Sequence, residues 1–186
     1  MAILQKNQER LMTGEELACH PELEPCELVK GRVVPMAPAG PVHGSLEFRL
    51  AAKLVAYADE SGRGVAMGGE VGIYTGRDPD TVRGADALFI SHERYGGWDR
   101  GAFLDVPPEL VVEVLSPKDR PGEVTTKMRE YLAIGVDRVW IVDRRRLQVR
   151  VHRSPEQVEI LEIGDTLRDD DILPGFSLPL SELFRD

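Results

Sequence analysis

The sequence predicts a single α+β domain spanning residues 1–186. Three observations support this class: several short apolar runs of strand length, one long and one shorter segment with helical periodicity, and a size suited to one core. The chain has 186 residues, of which 42% are hydrophobic. That apolar fraction is enough to bury one ordinary core, and the length argues against several domains.

The first third of the chain predicts two helices and a hairpin. Thr13–Leu17 has the pattern of a capping box, which opens a short helix. Residues 27–34 form two short strand patterns around Lys30-Gly31, as expected for a hairpin with a glycine turn. After a proline-rich connection, His43–Ser61 predicts a long helix that ends at Gly62. Its apolar face consists of Leu46, Leu50, Leu54, Tyr57 and Ala58.

The rest of the chain is predicted to be mainly strands. Helical spacing over Glu123–Ile134, with Gly135 in the stop position, interrupts them once. Ser91–Pro108 is predicted to be a long loop, because glycines and prolines recur along it. Leu173–Leu178 is predicted to be a packing tail. The strand candidates are 65–74, 85–90, 110–115, 139–142, 147–151 and 158–163.

Two acids occur where strands should be apolar. Glu113 lies inside the apolar run Glu109–Leu115, and Asp86 lies among small and apolar residues in Arg83–Ile90. Burying an unpaired carboxylate is costly, so each acid needs a cation or a proton. We predict that the two carboxylates lie within about 4 to 6 Å of each other and share a divalent cation. The alternative for either acid is an exposed position on an edge strand or a structural ion pair.

Lys127 is the candidate cation from the protein itself. It lies on the helix that follows the strand of Glu113, one turn before Tyr131, so the two side chains share a helix face. Lys127 can therefore point back toward the preceding strand. The alternative is a solvated lysine that pairs with Glu123 at the i, i+4 spacing.

Seven elements of the sequence follow one another in a characteristic order: Glu27–Gly31, His43, Asp86, Glu113–Pro117, Lys127 with Tyr131, Gly135-Val136 and Trp140–Asp143. In order and spacing they resemble the Uma2 family of restriction-endonuclease-like proteins, within the PD-(D/E)XK nuclease superfamily. The resemblance extends from about Thr13 to the C-terminus and is most specific between Pro107 and Asp143. It implies a restriction-endonuclease-like fold with a central mixed β-sheet flanked by helices.

The resemblance also implies a catalytic site for cleaving DNA phosphodiester bonds. Asp86 matches the first acid of the superfamily and Glu113 the second, and both are expected to bind the metal. Leu115 occupies the position of the superfamily lysine, whose role then maps onto Lys127. Asp86, Glu113 and Lys127 are thus the expected catalytic residues. The expected cofactor is Mg²⁺, with Mn²⁺ as a substitute, and the expected partner is DNA.

Composition leaves alternatives to a nuclease open. The net charge of −9 opposes non-specific binding to nucleic acid, although arginines are concentrated between residues 138 and 153. A noncatalytic binding or assembly module with the same fold, or a hydrolase of a small phosphorylated substrate, fits the charge. No apolar stretch is long enough to span a bilayer, and the N-terminus has no charged region followed by the apolar core of a secretion signal. These observations predict a cytoplasmic protein without membrane contact. A homodimer is compatible with the sequence.

Four further residues have both a functional and a structural interpretation. Glu27 is either an accessory acid of the site or a surface residue of the hairpin. His43 either contacts phosphate or, as we favour, caps the long helix or makes a hydrogen bond at the edge of the core. Trp140 is expected in the core with its polar tip satisfied locally. Asp143 is expected to receive a turn or a salt bridge.

Overall fold

The computed structural model describes residues 10–185. Within them the helices are α1 (Gly14–Ala18), α2 (Pro41–Ser61), α3 (His92–Gly96), α4 (Pro121–Ala133) and α5 (Leu180–Leu183), with a 3₁₀ turn at Pro21–Leu23. The strands are β1 (Cys26–Val29), β2 (Arg32–Pro35), β3 (Gly64–Gly76), β4 (Thr81–Ser91), β5 (Leu110–Val114), β6 (Arg138–Asp143), β7 (Gln148–His152), β8 (Val158–Leu161), β9 (Thr166–Asp169) and β10 (Leu173–Pro179).

The eight strands from β1 to β8 form one mixed sheet. Along the sheet the order is β2-β1-β4-β5-β6-β7-β8. Strand β3 lies outside this order and pairs with β4 on the edge opposite to β1 and β5. The β5–β6 pair is parallel, and the remaining pairs are antiparallel. Helix α4 connects the two parallel strands, as a crossover must. The prediction of a mixed sheet flanked by helices is confirmed.

Strand β4 is shared between two neighbours along one of its edges. It pairs with β1 at Val82 and with β5 from Ala87 to Phe89. Residues 83–86 therefore lie where β1 and β5 diverge, so the backbone groups there are open to side chains instead of a neighbouring strand. The N–H of Gly84 donates to a carboxylate oxygen of Glu27, and the hydroxyl of Tyr131 lies 3.3 Å from the carbonyl oxygen of Gly84.

On its other edge, β4 faces a β-bulge in β3. Gly68 pairs with Ala87 but Val71 pairs with Ala85, so Gly69 and Glu70 together oppose the single residue Asp86. Gly69 has φ of 88° and Glu70 has φ of 60°. Such bulges redirect side chains and are frequent beside active sites.

Helix α2 covers one face of the sheet. Pro41 begins it, and Gly62 ends it in the left-handed conformation with φ of 62°. Leu46, Leu50, Leu54 and Ala58 are buried on the face predicted from their spacing. The hairpin β9–β10 and helix α5 share this core, so the predicted packing tail is in fact a strand followed by a short helix.

Helix α4 covers the opposite face through the buried side chains of Met128 and Tyr131. The segment Ser91–Pro108, predicted to be a loop, contains α3 and a bridge between Leu104 and Ile73. Among residues 10–185, none of the helices has both the length and the apolar character needed to cross a membrane.

Candidate active site

Lys127 connects α4 to the strand that precedes it. Its Nζ lies 2.7 Å from Oε2 of Glu113 and 3.1 Å from Oε1 of Glu27. One turn along the helix, the hydroxyl of Tyr131 lies 3.0 Å from Oε1 of Glu113. Glu113 is thereby held by two side chains from one face of α4. The interpretation of Lys127 as a solvated partner of Glu123 is wrong, because the side chain reaches the sheet.

Arg83 fixes the position of Glu27. Its Nη1 lies 2.7 Å from Oε2 of Glu27, while its Nε and Nη2 form a fork on Glu130 at 2.6 and 3.1 Å. Burial opposes ionisation of Glu27, but Lys127 and Arg83 outweigh it and lower the pKa of this carboxyl group. Glu27 is therefore a buried carboxylate in the site, and its interpretation as a surface residue is wrong.

Asp86 lies beside this cluster on β4 and is only 4% exposed. Its Oδ2 accepts a hydrogen bond from the backbone N–H of Val114, the residue after Glu113. Its negative charge also contributes to a raised pKa of Glu113. The structure thus brings Asp86, Glu113 and Lys127 into one region, at the point where β4 and β5 begin to separate.

His43 and Glu47 approach Asp86 from the first two turns of α2. Nε2 of His43 lies 3.4 Å from Oδ2 of Asp86, and Nδ1 lies 3.7 Å from Oε2 of Glu47. One potential ligand atom from each of the three residues lies within 4.8 Å of the other two. The backbone of Gly69 lies near the carboxyl group of Glu47 and opposes the rise of its pKa, so this residue of α2 faces the bulge of β3.

The bulge directs Glu70 toward the same region. A Cβ atom at Gly84 would lie 2.7 Å from Oε2 of Glu70, so glycine at position 84 makes room for this carboxylate. Although Glu70 lies on an exposed bulge, partial burial of its carboxyl group and repulsion from Asp86 raise its pKa to about 7.

The acids of the site repel one another. Burial is the largest cause of the raised pKa of Glu113, and the nearby charge of Lys127 opposes it. Burial and then repulsion from Asp86 raise the pKa of Glu47. Burial disfavours the ammonium of Lys127, but Glu113 and Glu27 outweigh burial and raise its pKa, so Lys127 stays protonated. The site therefore has a fixed cation on one side and crowded carboxylates on the other.

His43 is expected to make the stability of the metal-free protein depend on pH. The nearby carboxylate of Asp86, opposed by burial, raises the pKa of His43 from 6.5 to about 9, with further contributions from Glu47 and Glu70. A histidine whose pKa is raised on folding stabilises the folded state. This stabilisation is fully present below the pKa of the unfolded chain and is lost as pH rises through the pKa of the folded state. The difference in free energy of unfolding between wild type and His43→Asn should thus shrink between pH 6.5 and 9.

Urea unfolding of both proteins in a chelator, at several pH values, measures this difference. A difference that stays constant across the interval would show that His43 is not charged in the folded protein. The same unfolding series on His152→Asn provides the control, because burial lowers the pKa of His152 and its contribution should not follow that of His43.

Sequence reasoning missed parts of the site. Glu47 and Glu70 received no role, and His43 was favoured as a cap or core-edge residue although its ring lies between Asp86 and Glu47. The available signals were the i, i+4 spacing of His43 and Glu47 on one helix face and the glycine pair before Glu70, which is typical of a bulge. Lys118, the other lysine near the second acid, is exposed on a turn.

Outside the site, two further expectations have a clear outcome. Asp143 accepts backbone hydrogen bonds from Arg145 and Arg146 and pairs with the side chain of Arg146, as predicted. Trp140 is fully buried, but its Nε1 has no hydrogen-bond partner among residues 10–185, so its predicted local partner is wrong.

In the arginine-rich stretch, Arg138 pairs with Asp169 and Asp171, Arg146 with Asp143, and Arg153 with Glu159.

The protein has a mixed sheet with acids on two adjacent strands, and the crossover helix between the two parallel strands supplies a lysine. These features define the class of nuclease-like α+β proteins. The model of the Uma2 family, described as "Putative restriction endonuclease", matches residues 15–181, and the chain belongs to this family. The fold is similar to that of a "putative nuclease belonging to DUF820" from Anabaena variabilis, with a TM-score of 0.79 and 20% sequence identity. The similarity covers 93% of this chain and 97% of the other. No match was found among curated proteins.

Proposed function

We propose that the protein is a metal-dependent endonuclease that hydrolyses phosphodiester bonds of DNA. In this proposal Asp86 and Glu113 bind the divalent cation, with Mg²⁺ as the expected ion and Mn²⁺ as a substitute, and Lys127 is the catalytic cation. The observation that supports it most is the contact between Lys127 and Glu113, 2.7 Å in length, beside Asp86. A module that only binds a partner has no evident need to hold these charges together.

The donor atoms fit a divalent cation. Hard cations take carboxylate oxygens, and each such oxygen has two lone pairs. The hydrogen bonds that Glu113 accepts from Lys127 and Tyr131 therefore leave lone pairs for a metal. Burial and mutual repulsion raise the pKa of carboxyl groups here, and a divalent cation would relieve that repulsion.

The side chains around the cation have separate roles. A bound divalent cation supplies Lewis-acid polarisation of a phosphate oxygen and makes water more acidic. Lys127, held protonated by Glu113 and Glu27, places a positive charge where charge grows on the phosphoryl oxygens during attack. Tyr131 fixes the orientation of Glu113, and Arg83 fixes that of Glu27. Lys127 acts as a cationic stabiliser and not as a base, because its pKa is raised.

The choice of DNA as substrate is supported by the family to which the chain belongs. The net charge of −9 and the pairing of several arginines with acids disfavour tight non-specific binding. We therefore expect DNA to bind weakly and with a strong dependence on salt, mainly at the metal site. A small phosphorylated substrate would suit the same charge and is separated from DNA by direct assay.

Glu113→Gln should abolish DNA cleavage and remove most of the stabilisation by metal. The amide removes one anionic ligand, while Tyr131 can still donate to its oxygen and Lys127 keeps Glu27. Without metal, the variant should change little in stability, because loss of the pair with Lys127 is offset by removal of a carboxylate whose raised pKa shows that burial disfavours its charge.

The test combines thermal unfolding with cleavage of single-stranded, double-stranded and branched DNA in Mg²⁺ or Mn²⁺ at low salt, where weak electrostatic binding is strongest. Glu182→Gln is the matched control, since Glu182 forms a surface ion pair with Lys53. A wild type that neither gains stability with metal nor cuts any DNA would contradict the proposal and favour a noncatalytic module. Stabilisation by metal without cleavage would contradict DNA as the substrate.

A further inference from the structure

We propose that His43 and Glu47 complete the metal site around Asp86, and that this ligand set binds a first-row transition ion such as Mn²⁺ more tightly than Mg²⁺. The inference rests on the proposed function, because it takes Asp86 as a metal ligand. It adds a nitrogen ligand and a third carboxylate, both from α2, to the two acids of the sheet.

The spacing of the three side chains fits coordination to a common ion. Two atoms bound to one ion at roughly 2.0–2.2 Å can lie at most about 4.4 Å apart. The ligand atoms of His43, Glu47 and Asp86 all lie within 4.8 Å of one another, so small rotamer adjustments suffice. Direct charge-assisted hydrogen bonds would be shorter, at about 2.7–2.9 Å. The observed separations from the His43 ring are 3.4 and 3.7 Å.

The imidazole of His43 is enclosed but incompletely satisfied. Its side chain is 11% exposed, and its buried Nδ1 has no hydrogen-bond partner among residues 10–185. Buried polar atoms nearly always have a partner, so an unpaired ring nitrogen beside two carboxylates is a candidate ligand for a cation. A ring nitrogen that faces a carboxylate at 3.7 Å without bonding to it has the surroundings expected of a metal ligand.

The fold holds the two α2 residues in place. His43 and Glu47 are four residues apart, so they lie one above the other on the same face of the helix. The helix packs against β3, and the backbone of Gly69 in the bulge lies near the carboxylate of Glu47 that faces His43. A site built on a helix, a bulge and a strand is well suited to holding fixed ligand geometry.

The nitrogen ligand determines the expected metal preference. Mg²⁺ takes oxygen ligands and keeps several waters, whereas imidazole is a common ligand of transition ions. Replacement of His43 by asparagine should therefore weaken Mn²⁺ binding by at least about tenfold, the loss typical even for an outer partner of a metal ligand. Mg²⁺ binding should change less, because it depends mainly on the carboxylates.

The test uses the full chain, freed of metal with a chelator and titrated with Mn²⁺ or Mg²⁺ alone. Calorimetry gives the two affinities, and pulsed electron paramagnetic resonance detects coupling of bound Mn²⁺ to a ¹⁴N nucleus. We expect this coupling in the wild type and in Glu47→Gln, with weaker binding in the latter, and its loss in His43→Asn. His152→Asn is the control, because His152 is a buried histidine on β7, outside the cluster.

Each contrary result has a defined meaning. Bound Mn²⁺ without ¹⁴N coupling in the wild type, or coupling that persists in His43→Asn, would overturn the inference. Tighter binding of Mg²⁺ than of Mn²⁺ would also overturn it. DNA cleavage measured on the same samples separates the two proposals. Cleavage without ¹⁴N coupling refutes the inference alone, and coupling without cleavage supports the ligand set while refuting the nuclease.

Discussion

Lys127→Ala should reduce DNA cleavage by about 10²–10³-fold, the loss seen when one preorganised donor to a developing charge is removed. It should also destabilise the metal-free protein. Lys127 is only 18% exposed and pairs with both Glu113 and Glu27. Its removal leaves two carboxylates beside each other without their shared cation. Breaking a buried ion pair from one side typically costs about 3–5 kcal/mol.

The loss of stability should depend on pH in a defined direction. Without Lys127 the pKa of Glu113, which burial already raises, rises further in the folded state, and the pKa of Glu27 rises because one of the two cations that lower it is gone. A raised acid pKa means that the folded state binds more protons, so its stability falls as pH increases. The difference between wild type and variant should therefore be smallest in acid, where the carboxyl groups are protonated, and grow toward neutral pH.

Two other lysines provide controls for this prediction. Lys53 forms an ion pair of the same 2.7 Å length with Glu182, but its side chain is 41% exposed. Lys118 lies exposed on the turn before α4. Lys53→Ala and Lys118→Ala should change stability little, as is usual for surface charges, and leave cleavage unchanged. An unchanged rate in Lys127→Ala, or a loss in Lys118→Ala, would contradict the assignment of Lys127.

The long elements could be predicted from sequence because local signals determine them. Helices α2 and α4 are each followed by a glycine with positive φ, at Gly62 and Gly135, and both ends were anticipated. The strand predicted at 85–90 begins four residues later and ends one residue earlier than β4, which covers Thr81–Ser91. Arg83 and Gly84 interrupt the apolar pattern of this strand. In the structure the side chain of Arg83 binds Glu27 and Glu130, a tertiary role that the apolar pattern does not encode. The local rule thus failed where the strand supplies residues to the site.

The site was predictable only along the sheet and the helix after β5. Asp86 and Glu113 stand out because each carboxylate interrupts an apolar strand. Lys127 stands out because it lies on the next helix, one turn before Tyr131 and on the same helix face. Glu47 and Glu70 do not stand out, because an acid on an amphipathic helix or beside a glycine pair is ordinary. Their roles arise when α2 packs against the bulge of β3, a tertiary contact that no local pattern encodes.

Asp86→Asn should have the broadest effect, because Asp86 is the ligand that both parts of the proposed metal site share. The amide oxygen can still accept the hydrogen bond from Val114, so the metal-free fold should persist. Stabilisation by metal should disappear. At a metal concentration of 100 times Kd that stabilisation is about 2.7 kcal/mol, or roughly 5–10 °C in Tm for a chain of this size. DNA cleavage should fall to background.

Asp143→Asn is the matched control for Asp86→Asn. Asp86 and Asp143 are each 4% exposed and each accept backbone hydrogen bonds on strands of the same sheet, but Asp143 serves a turn and Arg146. The control should lose some stability while keeping the response to metal and the cleavage of DNA. If Asp86→Asn retained the full shift of Tm with Mn²⁺, the metal would have to bind elsewhere. In that case the raised pKa values around Asp86 would reflect only a crowded structural cluster.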